Sequence, residues 1–267
     1  MSIDEFTKEL ETAIDKKGLV IFTGAGLSTA SGIKDFRGKN GLYKEDINAE
    51  EILSHHYMIE NPLEFYKFFR EKLINGEVKP NLMHEVIAEL QNNGNVLGVI
   101  TQNIDGLDTM AGTKDVVELH GNVNRFYCMD CKKKYTLDDI LEKDTVPRCA
   151  CGGLIRPDVV LYEEPLKEYD MWSAHNKICY ANNVLVLGSS LKVNPAASLI
   201  HDFVHLKMTN TRRKLFIVNQ GETDYDYFAD YKYDGDIIEV AKKIKKLRWF
   251  NLLFLLFIWY NFICYRS

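Results

Sequence analysis

The sequence predicts an α/β fold, a parallel sheet with helices on both faces, and a small cysteine-rich module inserted into it. Three observations carry that expectation. Short apolar runs recur along the chain, helix-like stretches separate them, and four closely spaced cysteines interrupt the alternation. Apolar runs without in–out alternation are what a sheet buried on both faces requires.

The runs are 19–23 (LVIFT), 96–101 (VLGVIT), 184–188 (VLVLG) and 215–219 (LFIVN). Between them, 62–73 and 81–91 read as helices. The opening stretch MSIDEFTKELETAID reads as an amphipathic helix, with no basic or apolar leader region. Residues 236–247 (DIIEVAKKIKKL) read as a closing helix. Each apolar run ends in small or polar residues: Thr23-Gly24, Thr101-Gln102-Asn103, Gly188-Ser189-Ser190 and Asn219. In open parallel sheets ligands bind beyond the carboxyl ends of the strands, so these ends are expected to converge on one crevice.

At 267 residues the chain can bury a core without disulfides, and its 33 Lys and Arg against 38 acids leave a net charge of -5. That balance gives bulk electrostatics no reason to recruit nucleic acid. Six cysteines with no export signal point to a reducing compartment, the cytoplasm by default.

Gly24-Ala25-Gly26, with Gly32 beyond, makes a glycine-rich strand-to-helix turn. Small residues there let main-chain amides approach a pyrophosphate, although a plain tight turn has the same composition. The loop Ser31–Gly38, with Asp35, Phe36 and Arg37, can fold over a ligand or simply be solvated. Gln102, Asn103 and Asp105 offer amides and a carboxylate for ribose hydroxyls or a carboxamide. His120 links these strand ends to the cysteine module, and an imidazole can accept a proton near neutral pH. Cys128-x2-Cys131-x17-Cys149-x1-Cys151 is the spacing of a closed, structural zinc site, the second pair one residue shorter than usual. Two disulfides are the alternative. The segment Arg156-Pro157-Asp158-Val159-Val160-Leu161-Tyr162 is extended and proline-led, suited to pairing with a substrate backbone.

Taken in order, GAGLSTASGIKDFRG, TQNIDGL, LHGNV, the four cysteines, RPDVVLYEEPL, LGSSLKVNPAA and IVNQGE resemble the sirtuins, bacterial members above all, over roughly residues 5–247. The resemblance implies a Rossmann-like domain (1–121 and 163–247), a zinc-binding module (122–162), and an apolar tail (248–267) outside the match. It implies NAD as co-substrate, one structural zinc, and an acyl-lysine peptide meeting NAD between the two domains. Carried over by motif, Gly24, Ala25, Gly26 and Thr29 belong to the NAD phosphate and ribose site, and Phe36 and Arg37 to the cofactor loop. Gln102, Ile104 and Asp105 line the nicotinamide-ribose pocket, with Asn103 close to the reacting centre. Gly188, Ser189, Ser190 and Asn219 hold the adenosine half, Asp236 meets adenine, and Val159, Val160, Leu161 and Tyr162 pair with the peptide. The implied reaction starts with attack of the acyl-lysine oxygen on the nicotinamide ribose. That attack expels nicotinamide, His120 then deprotonates a ribose hydroxyl, which attacks the resulting imidate, and water completes the release of free lysine and O-acetyl-ADP-ribose. Mono-ADP-ribosyl transfer to protein from the same NAD site is the rival within enzymes. A zinc-ribbon nucleic-acid binder is the rival outside them, and the acidic balance argues against it.

Two departures stand out. The family has glycine where Glu163 stands, so a positive φ there would alter stability or peptide affinity. The tail Trp249–Tyr265 has 17 uncharged residues behind a basic flank, at the short limit for a membrane anchor. An extension past the gene's natural end reads equally well.

Overall fold

The computed structural model describes residues 1–35, 41–42, 46, 48–74, 76–141 and 145–249, with Leu141 by its backbone alone. Phe36, Arg37 and the tail from residue 250 onward lie outside the described residues. No helix of the described residues is long and apolar enough to cross a membrane.

The large sheet is parallel, in the order β3-β2-β1-β7-β8-β9. Its members are β1 (Leu19–Thr23), β2 (Val96–Thr101), β3 (Val116–Glu118), β7 (Asn183–Leu187), β8 (Lys214–Val218) and β9 (Tyr231–Tyr233). Side chains alternate between its faces, as the pleat dictates. Leu19 and Ile21 join one buried cluster with α1 (Ile3–Asp15), α5 (Leu82–Asn92) and the closing helix α10 (237–249). Val20 and Phe22 join another with α8 (Glu168–Tyr180) and α9 (Ser198–Thr209). Burial on both faces explains why these strands read as unbroken apolar runs.

The chain builds outward from β1 in one direction and from β7 in the other, so the strand order reverses between them. Neighbouring loops leave on opposite sides at such a point and open a crevice. Gly24 and Gly188 sit at that reversal.

A second sheet, antiparallel in the order β5-β4-β6, holds β4 (Gly121–Cys128), β5 (Lys134–Thr136) and β6 (Ile155–Val159). Phe126, Ile155 and Val159 share one apolar cluster with Leu53, Met58, Phe65 and Phe69. The helices α2 (Ala49–Ile52), α3 (His55–Glu60) and α4 (Pro62–Lys72) therefore pack on the small sheet, although about fifty residues separate them from it in sequence. Two further short helices among the described residues are α6 (Leu107–Met110) and α7 (Asp138–Leu141).

Candidate functional site

A cleft of about 710 Å³ opens at the carboxyl ends of the large sheet. That volume lies within the range of about 300–1,000 Å³ usual for small-molecule sites. It is lined by Gly24, Ala25, Gly26 and Thr29 from the first turn, and by Gln102, Asn103, Ile104 and His120 from the second and third. Gly188, Ser189, Ser190, Asn219 and Asp236 close one end, and Val159, Val160, Leu161 and Tyr162 flank the other.

The first turn is fastened to the strand end and turn beside it. Gly24 N–H donates to Leu187 O over 3.0 Å and Gly26 N–H to Gly188 O over 2.9 Å. These two amides extend the β1–β7 pairing past the strand ends. Glycine is required because a Cβ at Gly26 would stand 2.7 Å from Gly188 Cα. The chain then turns as a 3₁₀ helix, Ala25–Ser31, where a plain helix was expected.

Long-range hydrogen bonds set the polar strand ends. Gln102 Nε2 donates to Ser189 Oγ at 2.8 Å, joining β2's end to β7's. Asn103 is buried, and its Nδ2 donates to Gly24 O (3.1 Å) and Ser28 Oγ (3.2 Å). Asp105 does not line the cleft. Its carboxylate accepts from Ser28 Oγ at 2.7 Å and Leu107 N at 2.8 Å, and burial raises its pKa. Asp236 accepts from Ile238 N at 2.8 Å, so it caps α10 while lining the cleft.

His120 follows β3, and its Nδ1 lies 2.8 Å from the carbonyl oxygen of Gln102. A carbonyl can only accept, so Nδ1 carries the proton and Nε2 is the basic nitrogen. The next chain pass is tied to it, because Val160 N–H donates to His120 O at 2.9 Å.

The segment 159–162 offers less backbone than its extended sequence suggested. Tyr162 N–H donates to Leu53 O and His55 N–H to Tyr162 O, making a short bridge to the 53–55 stretch. Leu161 N–H is taken by the Glu164 carboxylate at 2.9 Å. Burial would raise that carboxyl, but the Arg156 guanidinium, buried against it, and the Leu161 amide hold it low. Glu163 takes the left-handed conformation, φ 74°. Its Oε1 lies 2.7 Å from His56 Nδ1, and its Oε2 accepts from His56 N.

The four cysteines come together away from the cleft, their Sγ atoms all within 4.8 Å of one another. Cys128 and Cys151 approach to 3.5 Å, as do Cys131 and Cys149. Four thiolates about 2.3 Å from one tetrahedral ion stand about 3.8 Å apart, so the set fits zinc. Their protons divide unevenly: Cys149 falls to about 6, helped by the Cys151 amide and then the Tyr135 hydroxyl. Cys151 rises to about 12 despite the Gly153 amide, because thiols of Cys149, Cys128 and Cys131 crowd it. A divalent cation removes that conflict. Gly153 is needed here, since a Cβ would lie 2.6 Å from Cys128 Sγ.

The sequence reading missed Leu53, Leu73, Leu166 and Glu222 among the lining residues. Nothing local marks them. Leu53 reaches the cleft through its pairing with Tyr162, 109 residues on by number.

Comparison with known proteins gives concordant results. The Sir2 family model matches residues 24–195. An "NAD-dependent protein deacetylase" of Staphylococcus aureus is 45% identical over 231 residues, covering 85% of this chain and 92% of that protein. One of Clostridium perfringens is 42% identical over 246 residues, covering 90% and 98%. Among solved structures, "Sir2-p53 peptide-NAD+" aligns with a TM-score of 0.80 at 40% identity, covering 90% of this chain and 97% of that one. "Sir2 bound to acetylated peptide" aligns at 0.78 and 38%, with the same coverage.

Proposed function

The chain belongs to the Sir2 family, and from that premise we propose that it is an NAD-dependent protein lysine deacetylase. Its products are free lysine, nicotinamide and O-acetyl-ADP-ribose. The curated relatives carry that activity in their names, and the solved relatives hold NAD and acetylated peptide.

The observation that carries the reading is His120 in the cleft wall, its Nδ1 held on Gln102 O. NAD, when bound, supplies the ribose carbon that nicotinamide leaves and the hydroxyl that takes the acyl group. His120 accepts a proton at Nε2 from that hydroxyl, and the Gln102 carbonyl stabilises the charged ring through Nδ1–H. Asn103, its amide fixed by Gly24 O and Ser28 Oγ, lies beside the reacting centre. Gly24, Ala25, Gly26 and Thr29 take the phosphates and adjoining ribose. Gln102 and Ile104 shape the nicotinamide side, with Asp105 holding their loop from behind through Ser28. Gly188, Ser189, Ser190, Asn219 and Asp236 take the adenosine half, and Val159–Tyr162 receives the acyl-lysine peptide. Cys128, Cys131, Cys149 and Cys151 hold one zinc with no position left open, so it acts on structure alone. The large domain is 1–121 with 163–247, and the zinc module 122–162, whose core the helices of 49–73 complete. Thiols grouped for a metal suit the cytoplasm.

The test is to incubate the full chain with NAD and an acetyl-lysine peptide and follow both by mass spectrometry. Equal amounts of nicotinamide and deacetylated peptide, both lost in His120→Ala, support the reading. Nicotinamide release without deacetylation overturns it in favour of ADP-ribosyl transfer or NAD hydrolysis.

A further inference from the structure

Helices α8 and α9 pack side by side over one face of the large sheet. Their outer surfaces carry His175 and Cys179 on α8, and His201, Asp202 and His205 on α9. None of the five lines the cleft.

His201 and His205 are four residues apart on one helix, so their side chains lie on the same face. Both are exposed. Their ring centroids are 4.3 Å apart at an interplanar angle of 79°, and the two Nε2 atoms are 3.1 Å apart. Two nitrogens each about 2.1 Å from one metal ion stand about 3.0 Å apart at a right angle and about 3.4 Å at the tetrahedral angle. The observed separation falls between these values, so one ion can bridge the pair with little movement of either ring.

A carboxylate stands beside the pair. Asp202 Oδ1 is 4.0 Å from His201 Nδ1, and its Oδ2 is 3.2 Å from His175 Nδ1. At 4.0 Å the carboxylate makes no hydrogen bond to His201, and it orients His175 instead. It also adds negative charge close to a bound cation.

We propose that His201 and His205 chelate one divalent transition cation, at a site separate from the four cysteines and from the cleft. Two imidazoles select the class of copper, nickel and zinc over magnesium and calcium, which require oxygen ligands. Only two positions come from the protein, so water fills the others and the ion exchanges readily. The reading that competes is a bare hydrogen bond from one Nε2–H to the other. The ligand pair that competes is His175 Nε2 with Cys179 Sγ, 3.4 Å apart one turn along α8.

The experiment is calorimetric titration of the untagged, zinc-loaded full chain with Ni²⁺, Cu²⁺ and Mg²⁺. Loading with one equivalent of zinc first fills the four-thiolate site and leaves the weaker two-imidazole pair open, and zinc content is measured before and after. The site predicts one Ni²⁺ per chain, tighter binding of Cu²⁺ in keeping with the general affinity order, and no binding of Mg²⁺. His201→Ala and His205→Ala each abolish it, Cys179→Ser retains it, and Asp202→Asn weakens it by about tenfold. Zinc content and deacetylation stay unchanged in all four variants. Absence of Ni²⁺ binding, its survival in His205→Ala, or its loss in Cys179→Ser overturns the proposal. Because the readout is metal binding, it stands or falls apart from the deacetylase reading.

Discussion

The amide of Gly26 donates to the carbonyl oxygen of Gly188 across 2.9 Å, fastening the turn after β1 to the turn after β7. The approach leaves no room for a side chain on either partner. A Cβ at Gly26 meets Gly188 Cα at 2.7 Å, and one at Gly188, where φ is 62°, meets Leu27 N at 2.4 Å. These are backbone atoms, which cannot turn aside as a flexible side chain would. Gly26→Ala is therefore expected to destabilise the fold by about 1–3 kcal/mol, the range for overpacking, and to weaken NAD binding with it. Urea unfolding and NAD titration check both. A variant with unchanged stability would show that the fold accommodates a side chain at this approach, and the packing argument would fail.

Glu163 occupies a conformation that side chains disfavour, φ 74°, and the clasp of its carboxylate on His56 holds it there. The residue lines the cleft next to the segment read as peptide-binding. Glycine adopts this φ without strain and leaves the cleft edge open to a substrate backbone. Glu163→Gly is expected to lower the peptide KM, with the NAD KM little changed. Steady-state kinetics over both substrates separate the two, and a peptide KM that rises would show that the clasp itself shapes the site.

How far the sequence could be read depended on how local each cause is. The strands Leu19–Thr23 and Val96–Thr101 were legible to the residue, because burial on both faces makes a continuous apolar run and a polar end stops it. The strands Val116–Glu118 and Tyr231–Tyr233 escaped, being three residues long and partly exposed at the sheet's two edges. The cysteine cluster was legible from spacing alone. The hold of Ser28 on Asp105 was not, since 77 residues separate them and only the completed sheet brings them together. The bridge of Tyr162 to Ser54 is hidden for the same reason, and with it the loss of free backbone along the peptide segment.

The zinc site makes a prediction about stability. A metal that brings four thiolates together contributes folding free energy to the elements carrying them, here the end of β4, the turn after it and the loop before β6. Cys151→Ser is expected to lose zinc and to lower the melting temperature and deacetylation together. Chelation of zinc from the unaltered protein should do the same, with both restored by Zn²⁺ and neither by Mg²⁺. Zinc content, circular dichroism and activity on the same samples check this. Full activity in a zinc-free sample would sever the metal from the fold of the small sheet.

Asp108, in α6, supplies the last prediction, about pH. It is 3% exposed and its Oδ1 has no hydrogen-bond partner. Burial, then the nearby Asp105, pushes its pKa up to about 7, although the Thr101 hydroxyl opposes the rise. The unfolded chain releases this proton near pH 4, whereas the folded chain keeps it until about 7. Stability is therefore unaffected below pH 4 and declines as pH rises through the interval. Above 7 the penalty is complete, at most about 4 kcal/mol for a shift of this size. Asparagine carries no such proton, so Asp108→Asn should gain stability relative to the unaltered protein between pH 4 and 7 and hold that gain at pH 8. His84, buried and lowered to about 4, gives the opposite slope, but it is common to both proteins and cancels in the difference. Urea unfolding at pH 4.5, 6 and 8 measures that difference. If it does not change with pH, Asp108 is already ionised in the folded protein, and the burial argument fails for this residue.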